Sequence, residues 1–374
     1  MRRLACLITS FLLAVAGTAP HDAVAATLCV NPGGTGGCFS TLQGAVDAAA
    51  SRDVIEIAAG TWVGSTVLGP NLAKGKLTIH GAGAGQTILS GGGSPGWATV
   101  LDTGSSKIAL TISDLTITGG EWGITGLEAR LTLRTCEVIG NVQGICFGGK
   151  KLTIDRCTVS GNQQQAFAFE GGGISLIAGN KPSVTIASST FANNVSHGNG
   201  GAIRDNALAK IAISNSTLYG NTALQTGGAI YQFGGKAKIK GSTIAGNSAA
   251  IRGGGFDFAY AYGADGPKLQ LESTILADNT APQGPNCSGN AQAGKLDLIE
   301  DATGCNLTVG ARSLVLAADP ALGALQDNGG TTLTAAPLPG SPALGVVTTK
   351  SLCKLDQTGA VRTAPCDLGA VEVP

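Results

Sequence analysis

Between Ile108 and Asn279 the chain repeats one short phrase seven times. One copy reads LTIDRCTVSGN, from Leu152 to Asn162. Others are LTLRTCEVIGN ending at Asn141, VTIASSTFANN at Asn194, IAISNSTLYGN at Asn221, IKGSTIAGN at Asn247 and LQLESTILADN at Asn279. An earlier copy, LTISDLTITGG, ends at Gly120 in the asparagine place. These anchors lie roughly 21 to 32 residues apart, the range of solenoid repeats. Aligned on them, Ile112, Leu133, Ile154, Ile186, Ile213, Ile239 and Leu271 form one column. Leu115, Cys136, Cys157, Ser189, Ser216, Ser242 and Thr274 form a second, and Ile117, Val138, Val159, Phe191, Leu218, Ile244 and Leu276 a third.

Within a copy the apolar residues alternate with polar ones, and β-branched residues abound, which is the periodicity of a strand. Asn tolerates the left-handed conformation and suits the turn that ends each copy. The order is Gly-Asn, so a two-residue hairpin does not follow. A second short strand opens on glycine pairs: GGGISL from Gly171, GGAIRD from Gly200, GGAIYQF from Gly227 and GGGFDF from Gly253. Ile174, Ile203, Ile230 and Phe256 make a further inward column. Strands that recur in one direction with like residues stacked imply parallel coils about 4.8 Å apart. The rival leucine-rich frame needs a leucine two residues after each asparagine. Those places hold Gln143, Gln164, Ser196, Ala223, Ala249 and Ala281. The expected fold is therefore an all-β, single-stranded parallel β-helix. Its right-handedness rests on the preference of parallel crossovers.

Met1–Ala26 reads as an export leader, with Arg2 and Arg3, an apolar run from Leu4 to Ala16, and the small-residue site Ala23-Val24-Ala25. The run is short for a bilayer span, and no later stretch is a transmembrane candidate. The expected location is secreted or otherwise extracytoplasmic, in the periplasm or at the cell surface. Formal net charge is zero, so overall charge points to no nucleic-acid partner. Export permits disulfides. Cys29 with Cys38, Cys287 with Cys305, and Cys353 with Cys366 are sequence neighbours and read as local staples outside the regular coils. Cys136 and Cys157 share a column in adjacent coils. They are either bonded or simply small core residues. Cys146 is the odd one, expected to be buried.

Before the ladder, Ser40 to Gln43 is a capping-box pattern ahead of an alanine-rich helix whose Leu42, Val46 and Ala49 would cover the first coil. The run Leu42–Trp62 followed by LTIHGAGAGQTIL resembles the N-terminal segment of pectin-lyase-like right-handed parallel β-helix proteins. The tail, Asp319–Leu344 and Asp356–Glu372, resembles the end of secreted bacterial β-helix proteins of the choice-of-anchor Q type. With the repeats, the resemblance covers nearly the whole chain after the leader. It implies one domain: a β-helix over 27–318 with an N-terminal helical cap, and an irregular, disulfide-stapled C-terminal cap over 319–374. Relatives of this fold include polysaccharide lyases, polysaccharide hydrolases, adhesins and phage fibres, so the fold leaves the chemistry open.

A hydrolase needs two carboxyls in the same or adjoining columns. Asp155 follows Arg134 and precedes Ala187, Glu272 follows Lys240, and Asp257 follows Tyr231, so no acid pair forms. His80, in the N-terminal glycine loop, and His197, in a turn, read as structural or solvent-exposed. A Ca²⁺-dependent lyase would need clustered carboxylates. The densest set, Asp297, Glu300 and Asp301, reads as a solvated turn, so no cofactor is expected, with Ca²⁺ arising only in the lyase alternative. The favoured surface is Arg204, Tyr231 and Asp257, each one residue past the inward column and so pointing outward on three adjacent coils. A polysaccharide or cell-surface glycan could stack on Tyr231 and bond to the flanking charges. Trp97 and Trp122 are other stacking candidates, though packing under loops is the plainer role for each. The expected function is glycan or surface binding, the alternative a polysaccharide-degrading lyase or hydrolase.

Overall fold

A computed structural model of the chain describes residues 25–69, 72, 75–93, 99–104, 107–163, 171–177, 179–259, 268–309 and 314–373. The proposed leader, apart from Ala25 and Ala26, lies outside the described residues, as does Trp97. Each coil contributes three short strands, and successive coils pair in parallel. The first face stacks strands such as Arg130–Arg134, Lys151–Asp155, Ser183–Ala187 and Lys210–Ser214. The second stacks Glu137–Ile139, Thr158–Ser160, Thr190–Ala192 and Thr217–Tyr219. The third stacks Gln143–Phe147, Ile174–Leu176, Ile203–Asp205, Ile230–Phe233 and Phe256–Ala259. The columns read from the repeats are the pairing register: Leu133, Ile154, Ile186, Ile213, Ile239 and Leu271 are partners in turn. All are buried.

Two turns per coil explain the phrase. At the first, a residue with positive φ precedes the small column: Thr135 (47°), Arg156 (51°), Ser188 (46°) and Asn215 (46°). At the second, the left-handed residue is the one before the asparagine, Gly140 (62°), Gly161 (61°), Gly220 (64°) or Gly246 (66°), not the asparagine itself. The glycine bears the backbone strain, which frees the asparagine side chain to turn inward. There the amides form a continuous ladder. Asn141 Nδ2 donates to Asn162 Oδ1 (3.1 Å), Asn162 to Asn194 (2.9 Å), Asn194 to Asn221 (2.9 Å), Asn221 to Asn247 (2.9 Å) and Asn247 to Asn279 (2.8 Å). Each oxygen also takes the backbone N–H of the preceding asparagine, as Asn221 Oδ1 does from Asn194 N (3.1 Å). Asn286 receives the last amide (2.8 Å).

The small column makes a second ladder. Cys136 N donates to Cys157 Sγ (3.3 Å), Cys157 N to Ser189 Oγ (3.1 Å), Ser189 N to Ser216 Oγ (3.2 Å) and Ser216 N to Ser242 Oγ (3.2 Å). Cys136 and Cys157 are therefore free thiols and not a disulfide. Their sulfurs hydrogen-bond to backbone along the stack, as the serine hydroxyls do, and the two thiols do not join. Burial beside Cys136 raises the Cys157 thiol well above its usual range. Cys146 is also buried and lies outside the three disulfides.

The other three pairs are bonded: Cys29–Cys38, Cys287–Cys305 and Cys353–Cys366, with Cα separations of 4.7, 5.2 and 5.8 Å. They fit an oxidising, extracytoplasmic compartment. Cys287–Cys305 does not lie outside the coils: Cys287 pairs with Phe256 in the third face, and its strand, Cys287–Ala293, runs on to pair with the first face. The helix Leu42–Ala48 is capped by Thr41, whose side chain accepts from Gly44 N (3.1 Å). Ser40 is not the cap, and Gln43 instead clasps Val67 through both backbone groups. Leu42, Ala45, Val46 and Ala49 are buried as the first coil's lid. The tail is irregular and stapled, and it folds back along the second face. Gln357 bonds Thr217 (2.7 Å) and Thr190 (2.8 Å), and Ala370 N bonds Thr243 (3.0 Å). Leu368, Val347 and Ala343 pack on Ile275 and Leu298. Among the described residues no helix is long and apolar enough to cross a membrane.

Asn221→Leu should remove the side-chain partner of Asn194 N, of one Asn194 Nδ2 hydrogen and of Phe191 O in the core, a loss of about 3 kcal/mol or more. Ser183→Ala, on the exposed first face, should cost no more than about 0.5 kcal/mol. Denaturant melts compare them, and equal losses would disprove the ladder's structural role. Alkylation followed by mass measurement should find Cys136, Cys146 and Cys157 unreactive in the native state and labelled after unfolding without reductant, with six cysteines protected throughout.

Candidate functional site

The third face brings Arg204, Tyr231 and Asp257 together as direct partners on three coils. Their column continues through Ser175 and Cys146 on one side and Ser288 on the other. Alternation sets them on the outer side of the strands, but they are not equally exposed. Arg204 is 8% exposed and Asp257 1%, while Tyr231 is half-buried. The expectation of three open side chains is corrected here. Its physical reason is the glycine-rich turns, which fold over the column. A Cβ on Gly253 would lie 2.1 Å from Phe256 O and 2.9 Å from Asp257 Cβ, and one on Gly227 would lie 2.8 Å from Tyr231 Cα. The glycine pairs mark this close approach of backbone to backbone.

Asp257 has a partner that the repeat pattern did not reveal. Arg252 Nε donates to its Oδ1 at 2.9 Å, while Oδ2 is buried with no hydrogen bond among the described residues. The bond to Asp257 raises the Arg252 pKa, and Arg252 keeps 39% of its side chain exposed. Burial raises the Tyr231 phenol, and the Asp257 charge raises it further against opposing contributions from Arg204 and Arg252. Tyr231 is therefore a neutral donor at neutral pH. The reachable part of the cluster is the Tyr231 edge with Arg252, while Arg204 and Asp257 form its buried backing. Asp205, beside Arg204, faces inward and accepts from Ala207 N (2.7 Å), Ala209 N (2.9 Å) and Gln232 Nε2 (3.0 Å). Burial raises its pKa.

The remaining candidates resolve separately. His80 lies in the strand Lys76–Gly81, not a loop, with Nδ1 2.9 Å from Ser113 Oγ. His197 is exposed. Trp122 is half-buried and donates to Gln143 Oε1 (2.9 Å). A cleft of about 460 Å³ that the sequence did not signal lies beside the N-terminal helix, lined by Trp62, Gln43, Ser65 and Thr66. Trp62 Nε1 is already committed to Ala58 O (3.2 Å). Among the described residues no three His, Cys, Asp or Glu side chains gather as a metal site. Asp297, Glu300 and Asp301 diverge. Asp301 is an exposed turn residue accepting from Thr303 N, and Glu300 accepts from Asp278 N. Asp297 is buried and ends the small-residue ladder, accepting from Thr274 N (3.0 Å) and Gly294 N (2.7 Å).

With this geometry described, comparison with known proteins fixes the hand of the coil. The family model described as "Right handed beta helix region" matches residues 98–244. The structure of pectate lyase Pel9A superposes at TM-score 0.54, with 12% identity, covering 93% of this chain and 96% of that one. The chain is a right-handed parallel β-helix. Pectin methylesterase from carrot aligns over 79% of this chain and 88% of its own, with 13% identity and a TM-score of 0.32. No curated protein sequence matches. At these identities the likeness extends to the fold alone.

Burial pushes the Asp297 carboxyl from 3.8 up to about 6, against the two N–H bonds it accepts. The folded β-helix thus prefers the protonated form. That preference contributes fully below about pH 4 and is lost as pH rises through about 6. Asp297→Asn should gain about 2–3 kcal/mol relative to wild type between pH 4 and pH 7. Melts across that range are the check, and a pH-independent difference would refute the shift.

Proposed function

We propose that this β-helix is a secreted glycan-binding protein that engages its ligand on the third face, at Tyr231 and Arg252. The observation that carries the reading is Tyr231 held half-buried in register between Arg204 and Asp257, with Arg252 fixed on Asp257. A rigid aromatic edge beside an oriented, exposed guanidinium suits a sugar: the ring takes the apolar face, and the guanidinium forks to ring hydroxyls. Asp257 and Arg204 act as positioning residues. Because coils stack in line, such a site accommodates a chain lying across the strands. The tail's resemblance to choice-of-anchor Q proteins, together with the leader over 1–26 and the three disulfides, supports an extracytoplasmic setting for a single domain over 27–374.

A glycan array comparing wild type with Tyr231→Ala and Arg252→Ala is the test. Loss of about tenfold or more in affinity for the same glycans in both variants, each assayed below its own melting transition, is the expected result; Arg252→Ala also unpairs the buried Asp257 and should melt earlier than Tyr231→Ala. Retained binding in both would remove the site. Release of new reducing ends or unsaturated sugars from a bound polysaccharide would replace the binding reading with a degradative enzyme.

A further inference from the structure

The first face differs from the third in charge, and its pattern follows the coil. The opening residue of each first-face strand stacks on the next: Lys76, Ala109, Arg130, Lys151, Ser183, Lys210 and Lys236 are partners in turn. Where the column lapses, at Ala109 and Ser183, an exposed lysine lies two residues earlier, Lys107 and Lys181. Every coil over this span therefore presents one cation at the same edge, a line of about 30 Å at ~4.8 Å per coil. Lys76, Arg130, Lys151, Lys210 and Lys236 are exposed, and among the described residues none is in an ion pair. Lys107 has a loose acidic neighbour, Glu128 at 3.9 Å. Like charges stacked at coil spacing repel, so the line gains most from an extended anion laid along it. This occurs in a chain whose formal net charge is zero.

We propose that this edge is a docking ribbon for a linear sulfated polysaccharide, separate from the Tyr231 site and not dependent on it. Beside the cations, two residues along five of these strands, runs a stack of hydroxyls, Thr78, Thr111, Thr132, Thr153 and Thr185, which gives way to Ala212 and Lys238 on the strands opened by Lys210 and Lys236. Hydroxyls next to cations match a chain that alternates sugar hydroxyls with fixed anions. The cations are almost all lysines, compact point charges on flexible stems that can follow fixed anions spaced along a polymer. The first-face strands from Lys76 to Lys240 carry no Phe, Tyr or Trp on which unpaired bases could stack, and their outward residues include no large apolar side chain for insertion into lipid.

The test is titration of the disulfide-intact protein with chondroitin sulfate and with chemically desulfated chondroitin, which keeps its carboxylates. Wild type should bind the sulfated polymer and lose about tenfold or more in affinity between 50 and 200 mM salt. Lys210→Glu combined with Lys236→Glu should lose about tenfold or more at the lower salt, and Tyr231→Ala should bind as wild type does. If the charge-reversed protein melts early, Lys210→Gln with Lys236→Gln provides the reading, with a smaller loss in the same direction. Absence of wild-type binding, or an unchanged affinity in the lysine variants, overturns the ribbon. Equal binding of the desulfated polymer, single-stranded DNA or phosphatidylserine vesicles overturns the assignment to sulfate. Loss of binding in Tyr231→Ala would move the ligand to the third face. Neutral-glycan binding lost in Tyr231→Ala but kept in the lysine variants would leave the third-face reading intact whatever the ribbon does.

Discussion

A buried primary amide must find partners for two donors and an oxygen, and in this molecule it finds them in the coils on either side. Asn162, Asn194, Asn221 and Asn247 each bond to the next asparagine through Nδ2 and are bonded by the preceding one at Oδ1. Their second hydrogens go to carbonyls such as Val138 O, Val159 O, Phe191 O and Leu218 O. A one-residue slip of any coil would strand several of these groups in a dry interior, at about 1–3 kcal/mol each. Apolar columns drive the coil to close. The amides decide which residue lies above which, and every statement about a surface column depends on that register.

The pairing register was legible because the repeated phrase is selected at its inward positions, where substitution leaves a cavity or an unsatisfied group. Arg204, Tyr231 and Asp257 consequently fell where their offset from Ile203, Ile230 and Phe256 put them. Their burial was not legible. Alternation tells which side of a strand a residue takes but not what crosses over that side, and here Gly200, Gly227 and Gly253 bring backbone across it. Arg252 escaped notice for a related reason. It lies between the named strands, in parallel bridges with Thr226 and Gln283 and outside the columns of the repeats, and reaches Asp257 by a bond within one coil. The thiol pair was left open: Cys136 and Cys157 share a column, and proximity alone does not separate a disulfide from a hydrogen-bonded stack. Ser189 and Ser216, doing the same work next to them, are what favours the hydrogen-bonded stack.

A solenoid with a fixed register turns a per-coil choice of side chain into a line on its surface. The third face uses this to hold an aromatic ring between opposite charges, and the first to align cations beside hydroxyls. The second face is occupied by the molecule's own tail, whose Gln357 and Gly369 meet the outward threonines and Ile275. Over the coils that the tail covers, the second face is closed to an outside ligand.

The returning tail changes how the stack comes apart. A simple solenoid is a one-dimensional chain of neighbours, free to fray coil by coil from either end. Here residues 332–370 touch Ser188 and Thr190 in one coil and Thr217, Thr243 and Ser273 in the coils that follow. The tail acts as a clasp across successive coils. Pulled from its two ends, the molecule could not shed these coils singly until the clasp was stripped from the second face. Its C-terminal half would yield as a block, while the uncovered coils nearer the N-terminal helix peeled away one at a time.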